Sequence, residues 1–372
     1  MRLLFVIDCL GSGGAQRQMV SLAVELKRLG HEIEFFVYYP EFDHFLDALS
    51  SATIPVYSEQ KVSRFSISPV FALRKLIKQG DYDGILAFLD TPSLYAEFAR
   101  IGTRIPLVIS ERSAFSQETL SVARWSIQHA HHLADHIVVN SHHQRTRMQK
   151  MFPWMRTKIS TIYNGVNLQI FKPLPTSKDR DNKELRFLVL SSVVPNKNAI
   201  GLVHAMAYYK KHYGRTFRVD WAGRVSSDLV SQKEFQNIND SLATLALTDC
   251  WNWLGECKNV PELIPQYDAL IHPSFYEGLP NAVCEALACG IPALVSDVGD
   301  HGKLVSAGTT GFLFDPHDPL SIAEAICNFI DLSPKDREKM GQAARQFAER
   351  ELSIDLCAGK FDDLFTHLRN SK

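Results

Sequence analysis

Short continuous apolar runs alternate with longer amphipathic segments along most of this chain. A run of this kind predicts a strand that is buried on both faces, as in a parallel sheet. The segments between the runs have helical spacing and several end at glycine, as 18–29 does before Gly30. Regular alternation of strand and helix predicts an α/β fold with doubly wound parallel sheets. The apolar runs lie at 2–8, 31–38, 84–89, 107–110, 185–191, 217–222, 269–273 and 293–296.

A polar, proline-bearing segment at 173–183 divides these runs into two series. Its charged stretch, Asp179-Arg-Asp-Asn-Lys, is typical of a linker. A chain of 372 residues is long for a single hydrophobic core and suits two domains. We therefore expect one domain at 1–172 and a second at 184–353.

The amino-acid composition and net charge restrict the type of protein that this chain can be. Apolar content of 45%, charged content of 22% and a net charge of -1 are ordinary for a soluble globular protein, and they argue against a nucleic-acid partner. Seven scattered cysteines without a close Cys/His pattern predict reduced thiols. The apolar N-terminus is interrupted at Asp8, which is too early for a signal peptide. We expect a cytoplasmic protein.

The most informative stretch runs from Ser274 to Pro292. A strand leads into a turn, a helix is predicted at 281–288, and Gly290 ends it. Two carboxylates, Glu277 in the turn and Glu285 about two turns along the helix, are separated by seven residues. A helix N-terminus can bind phosphate, and a nearby carboxylate can accept hydrogen bonds from sugar hydroxyls. One element would thus hold both a phosphate and a polyol.

This stretch resembles the donor-site signature of the retaining glycosyltransferases of family 4, which have two Rossmann-like domains facing across a cleft (the GT-B fold). The resemblance implies that Glu277 contacts the donor sugar and Glu285 the ribose hydroxyls. It also implies that the last helix, 354–372, packs back on the first domain. The donor-binding residues implied at the helix start are Gly278, Leu279, Pro280 and Asn281.

Three further loops carry parts of the same resemblance. Gly13 and Gly14 match the family's first glycine-rich loop, although a tight turn without a ligand is the alternative. Lys197 matches a lysine that binds the nucleotide diphosphate, while Ser192 replaces the usual arginine. We infer that Arg224, which directly follows another predicted strand and Gly223, supplies the missing charge. Two residues are expected to bracket the base: Gly255 and Cys257.

Three regions leave both a functional and a structural interpretation open. Glu111, a catalytic candidate, and Arg112 follow a buried strand where many relatives carry a histidine, and a solvated loop with a surface ion pair is the alternative. Basic residues mixed with large apolar ones at 145–158, and again at 61–78, suit either a membrane surface or a helix with a core-facing side. Four histidines, interpreted as helix-surface and packing residues and not as metal ligands, are His129, His131, His132 and His136.

The function expected is retaining transfer of a hexose from a UDP-linked sugar to a glycan or lipid-linked glycan in polysaccharide biosynthesis. The catalytic residues expected are Glu277, Lys197, Arg224 and Glu111. The UDP-sugar is a co-substrate, and no cofactor or metal is expected, since no Asp-x-Asp motif ends a strand. The alternatives are a nucleotide-sugar 2-epimerase and a non-catalytic nucleotide-sugar-binding regulator. Association with the inner face of the membrane is a further expectation.

Overall fold

The computed structural model describes residues 1–63, 66–112, 122–174, 185–257 and 259–371, with side chains from 125 onward in the third range. The chain divides into two compact units. The first unit is Met1–Gly165 with Ile354–Lys372, and the second is Val166–Ser353. Most of the predicted linker at 173–183 lies outside the described residues.

The first unit contains a parallel sheet of seven strands in the order β3-β2-β1-β4-β5-β6-β7. Successive side chains of β1 point to opposite faces: Leu3 and Phe5 enter one apolar core, and Leu4 and Val6 enter another. Both faces are therefore buried, which explains why the strand sequences are continuously apolar. The strands are β1 Arg2–Val6, β2 Glu32–Val37, β3 Val56–Ser58, β4 Gly84–Phe88, β5 Leu107–Glu111, β6 His136–Val139 and β7 Ile159–Thr161.

The second unit contains a parallel sheet of six strands in the order β10-β9-β8-β11-β12-β13. Its core includes Phe187, Val189 and Trp221, all with 0% exposure. The strands are β8 Arg186–Leu190, β9 Arg218–Ala222, β10 Trp251–Gly255, β11 Ala269–His272, β12 Ala293–Ser296 and β13 Gly311–Phe314. The α/β class with two doubly wound parallel sheets is confirmed.

Helices connect the strands and cover the sheets. In the first unit they are α1 Gly14–Arg28, α2 Leu46–Ser51, α3 Ser68–Gln79, α4 Asp90–Ala99, α5 Val122–Ala130 and α6 His142–Met151. In the second unit they are α7 Ala199–Tyr213, α8 Leu229–Thr244, α9 Val260–Leu263, α10 Asn281–Ala288, α11 His301–Leu304, α12 Pro319–Ile330 and α13 Pro334–Glu351. The last helix, α14 Ile354–Asn370, belongs to the first unit, where Phe361 and Phe365 enter its core.

Residues 166–172, which the sequence analysis placed in the first domain, belong to the second unit of the structure. The backbone N–H of Val166 donates to Leu352 at 2.7 Å, and the guanidinium of Arg345 donates to the carbonyl oxygen of Phe171 at 2.8 Å. These bonds attach the segment to α13 and to the residue that follows it, and they explain why it leaves the first unit at Gly165.

The mixed basic and apolar segment at 145–158 turns three of its large apolar residues inward, while Met151 is exposed. Met148, Phe152 and Met155 are at most 4% exposed in the core of the first unit. The core-facing alternative therefore describes this segment. Among the described residues, no helix has both the length and the apolar character needed to cross a membrane.

Candidate functional site

The loop at 274–280, here called the donor loop, joins β11 to α10 in the second unit. Backbone contacts fix its shape: the hydroxyl of Ser296 donates to the carbonyl oxygen of Ser274 at 2.7 Å. Gly299 has φ +58°, and a Cβ there would lie 2.8 Å from the carbonyl oxygen of Glu277. A glycine is required at this close approach, so the loop after β12 supports the donor loop from one side.

Glu277 lies at the centre of a charged assembly. Its carboxylate accepts hydrogen bonds from Lys197 Nζ and from His272 Nε2, the latter at 3.0 Å. Burial by itself would raise the pKa of this carboxyl, but the His272 hydrogen bond and the Lys197 charge outweigh it and hold the pKa well below its usual range. Glu277 is therefore ionised throughout the physiological pH range.

Lys197 is held in place by the asparagines on either side of it. Asn196 donates to the Tyr276 carbonyl oxygen at 3.0 Å and accepts from the Tyr276 N–H at 3.2 Å. Asn198 has the left-handed φ of +52°, caps α7 through Gly201 N–H and donates to Pro273 and Pro316. An asparagine suits this position because it tolerates the left-handed region and caps helices well. The loop after β8 is thereby attached to the donor loop.

His272 is a site residue that the sequence analysis missed. It ends β11, is 2% exposed, and contacts the hydroxyl of Ser274 at 3.1 Å as well as Glu277. Burial lowers the pKa of His272, so the ring is neutral and its Nε2–H donates to the carboxylate. The ring of His301 lies 5.6 Å away, and burial lowers the pKa of His301 to about 4. A histidine at the carboxyl end of a buried strand was the available signal.

Glu285 lies on α10, but closer to its start than the sequence suggested. The helix begins at Asn281 with Pro280 as its N-cap, so Glu285 is little more than one turn along it. Its carboxylate is 2% exposed. In the described part of the chain, no side chain caps this helix start. The structure thus places Glu277, Gly278 and Leu279 in the donor loop and Glu285 on the helix that directly follows it.

The ends of β8, β9 and β10 bring the other predicted donor residues together. The N–H of Val193, next to Ser192, donates to the carbonyl oxygen of Arg224 at 3.0 Å. The N–H of Gly223 donates to the carbonyl oxygen of Gly255 at 2.7 Å. Arg224 is exposed, and Cys257 is half-buried with its thiol pKa raised by burial. Arg224 therefore lies along the loop that carries Lys197.

The first glycine-rich loop has a packing reason for its sequence. Gly13 precedes α1, and a Cβ there would lie 2.2 Å from Gln16 Oε1. Gln16 in turn donates to the carboxylate of Asp8 at 2.9 Å. A Cβ at Gly13 would therefore displace the end of the Gln16 side chain, and Gly14 is the first residue of the helix.

Glu111 and Arg112 point into the first unit, so the alternative of a solvated surface ion pair is wrong. Glu111 is 3% exposed and accepts from Gln128 Nε2 at 3.1 Å. Arg112 donates to Ser110 Oγ at 2.8 Å and to Asn164, and burial lowers its pKa to about 10. The catalytic candidate Glu111 is therefore a buried residue at the end of β5.

The comparisons with known proteins agree with this geometry. Residues 12–170 match the model of Glycosyltransferase Family 4, and residues 172–347 match that of Glycosyl transferases group 1. The chain is 23% identical over 95% of both chains to an undecaprenol-linked glycan α-1,4-N-acetyl-D-galactosaminyltransferase from Campylobacter jejuni. It is 23% identical over 78% of both chains to a UDP-Gal:α-D-GlcNAc-diphosphoundecaprenol α-1,3-galactosyltransferase from Escherichia coli. Anabaena HepE in complex with UDP superposes with a TM-score of 0.84 over 99% of this chain and all of that one, at 20% identity.

Two parallel Rossmann-like sheets and a carboxylate-bearing loop before a helix define the class: a glycosyltransferase of the GT-B fold. Between them the two matched regions cover nearly the whole chain. The chain belongs to glycosyltransferase family 4.

Proposed function

We propose that this glycosyltransferase moves a hexose, with retention of configuration, from a UDP-linked sugar to a hydroxyl of a lipid-linked glycan. The observation that supports it most is the assembly of Lys197, His272 and Glu277 beside Glu285 on α10. The printed names of the two undecaprenol-linked relatives support the acceptor class, and the galactosyltransferase's name supports a UDP-linked donor.

Each donor-side residue has a role in this proposal. Glu277 accepts hydrogen bonds from the sugar hydroxyls, and Glu285 holds the ribose. Lys197 and Arg224 neutralise the diphosphate as it leaves, because fixed positive charges stabilise a departing anion without reorganisation. Gly255 and Cys257 border the base.

A same-face path accounts for retention without a protein nucleophile. The diphosphate oxygen that leaves the sugar takes the proton of the acceptor hydroxyl, while that hydroxyl attacks the same face of the sugar. The cationic side chains do the electrostatic work, so donor binding needs no divalent cation. The catalytic role predicted for Glu111, at the end of β5, stays a prediction.

We also propose that the protein acts from the cytosolic side at a membrane surface, through the 61–78 segment. Ile67 and Phe71 are 62% and 65% exposed, and Lys75 and Lys78 are exposed on the same helix as Phe71. Exposed apolar residues beside lysines favour an anionic lipid surface.

Incubation with a labelled UDP-sugar tests the proposal and separates it from its alternatives. A panel of UDP-sugars is first ranked by thermal shift, since a ligand of the folded state raises Tm. The best donor is then incubated with and without an undecaprenol-diphosphate-linked glycan. Label in the lipid fraction with the anomeric configuration unchanged supports the proposal. Release of a 2-epimer without transfer, or tight binding without turnover, would contradict it.

A further inference from the structure

A second polar cluster lies in the first unit, at the ends of β4 and β5. Asp90 is the first residue of α4, Glu111 is the last residue of β5, and His131 lies in the short turn after α5. One ligand atom from each of the three lies within 4.8 Å of the others. β4 and β5 are parallel neighbours, so the fold brings together residues that the sequence separates.

His131 is oriented as histidines that bind metals are. Its Nδ1 contacts Glu97 Oε1 at 2.8 Å, and the two side chains are 1% and 0% exposed. The carboxylate accepts, so Nδ1 carries the proton and Nε2 presents a lone pair. A carboxylate that holds the second nitrogen of a histidine is the usual support of a metal-binding imidazole.

Two further oxygens at this cluster are buried acceptors. Gln128 donates to Glu111 through Nε2, while its Oε1 has no hydrogen-bond partner among the residues that the structure describes. The same holds for Glu97 Oε2, and both side chains are 0% exposed. Buried acceptors are normally satisfied by protein or by water. A water molecule on a bound cation would donate to Gln128 Oε1, because the same amide contacts Glu111.

Asp90 and Glu111 supply two carboxylates and His131 supplies one imidazole at a single place in the fold. We propose that Asp90, Glu111 and His131 bind one divalent cation of the zinc or manganese type. One imidazole and two carboxylates suit such an ion, and three protein ligands leave positions for water.

The ion has a route into the cluster. Asp90 also lines an open pocket of about 270 Å³, together with Asp8, Tyr39 and Lys61. A bound ion would tie the ends of β4 and β5 to the turn after α5 and would fix Glu111. No metal was predicted at these histidines because only the spacing between them was considered. Two of the three proposed ligands, Asp90 and Glu111, lie on other elements of the fold.

Metal binding by the full-length chain tests this inference. After treatment with chelator and dialysis, the protein is titrated with ZnCl₂ and with MnCl₂ by calorimetry, and Tm is measured with and without each ion. We expect one ion per chain, and an increase in Tm of at least about 5 °C at a hundredfold excess over Kd. His131→Gln should abolish both effects. His132→Gln is the matched control, because His132 is exposed and stacks on Trp154.

A second variant covers the case in which His131→Gln fails to fold. Glu97→Gln keeps the shape of the residue that supports His131 and should weaken the ion by about 10–100-fold, the usual effect of losing such a support. Wild-type protein that binds neither ion, or equal binding by the His131 and His132 variants, would overturn the inference. The affinity for UDP, measured with and without chelator, should not change. Failure here is therefore distinguishable from failure of the proposed transfer.

Discussion

Replacement of Lys197 by methionine tests the charged assembly directly. Methionine keeps the length of the side chain and removes the charge that contacts Glu277. Loss of one partner from a fully buried pair costs about 3–5 kcal/mol. The side chains of Lys197 and Glu277 are 20% and 12% exposed, and His272 still donates to the carboxylate. We therefore expect a smaller decrease in the free energy of unfolding, about 2 kcal/mol.

The same variant should weaken donor binding. A charge-assisted hydrogen bond to phosphate contributes about 1.5–3 kcal/mol, so the Kd for UDP should rise by about 10–100-fold. Calorimetry gives the affinity and urea denaturation gives the stability. A double-mutant cycle with Glu277→Gln should show a coupling energy of about 1–3 kcal/mol in stability.

Lys303→Met is the matched control. Lys303 is 55% exposed and lies 3.9 Å from Asp300, so its loss should change stability by less than about 0.5 kcal/mol and leave UDP binding unchanged. If Lys197→Met binds UDP as tightly as wild type, the lysine only organises Glu277. If the coupling energy between Lys197 and Glu277 is zero, their ion pair does not hold Glu277 in place.

Four further outcomes are expected. Arg224→Ala should lower kcat by about a hundredfold, whereas Arg215→Ala, at an exposed arginine, should not. If Arg224→Ala keeps the wild-type rate, Arg224 does not supply the charge that is missing at Ser192. Glu285→Ala should weaken UDP by about 10–100-fold in calorimetry, and unchanged affinity would remove the ribose assignment. The pKa of His301 is about 4 in the folded state and ordinarily 6.5, so only the unfolded chain gains a proton as pH falls through 6.5. Unfolding free energy should decrease by about 2 kcal/mol between pH 7.5 and 5, and less in His301→Asn. Phe71→Ser should reduce flotation of the protein with anionic liposomes. Equal flotation of the wild-type protein with neutral and anionic liposomes would count against binding of the 61–78 segment to an anionic lipid surface.

The parts of this protein that the sequence predicted well are local. The strand, loop and helix around Glu277 follow from residues that are neighbours in the chain, so apolar runs and glycines were enough to predict them. The role of His272 was not predicted, although its place at the carboxyl end of an apolar strand was a signal. The lysine that contacts the same carboxylate is 80 residues away from Glu277 in the chain.

The buried histidine shows the same limit. His131 lies in a row of histidines that were interpreted as helix-surface and packing residues. It lies in the turn after α5, and its partner Glu97 is 34 residues away. The attachment of residues 166–172 to the second unit also has a distant cause. Arg345 donates to the carbonyl oxygen of Phe171, which is 174 residues away in the chain. The composition near the linker cannot predict a bond to so distant a residue.

The return of α14 to the first unit makes the second unit an insertion. The chain leaves the first unit after Gly165 and re-enters it at Ile354. At the two ends of the inserted segment, Val166 and Ser353 form a bridge with each other. Segments whose ends are adjacent are the ones that tolerate transplantation between proteins. On the proposed function, the second unit could therefore be exchanged as one segment with that of a relative, joined at two peptide bonds that are neighbours in space. Such an exchange would combine the nucleotide-sugar choice of one protein with the acceptor choice of another.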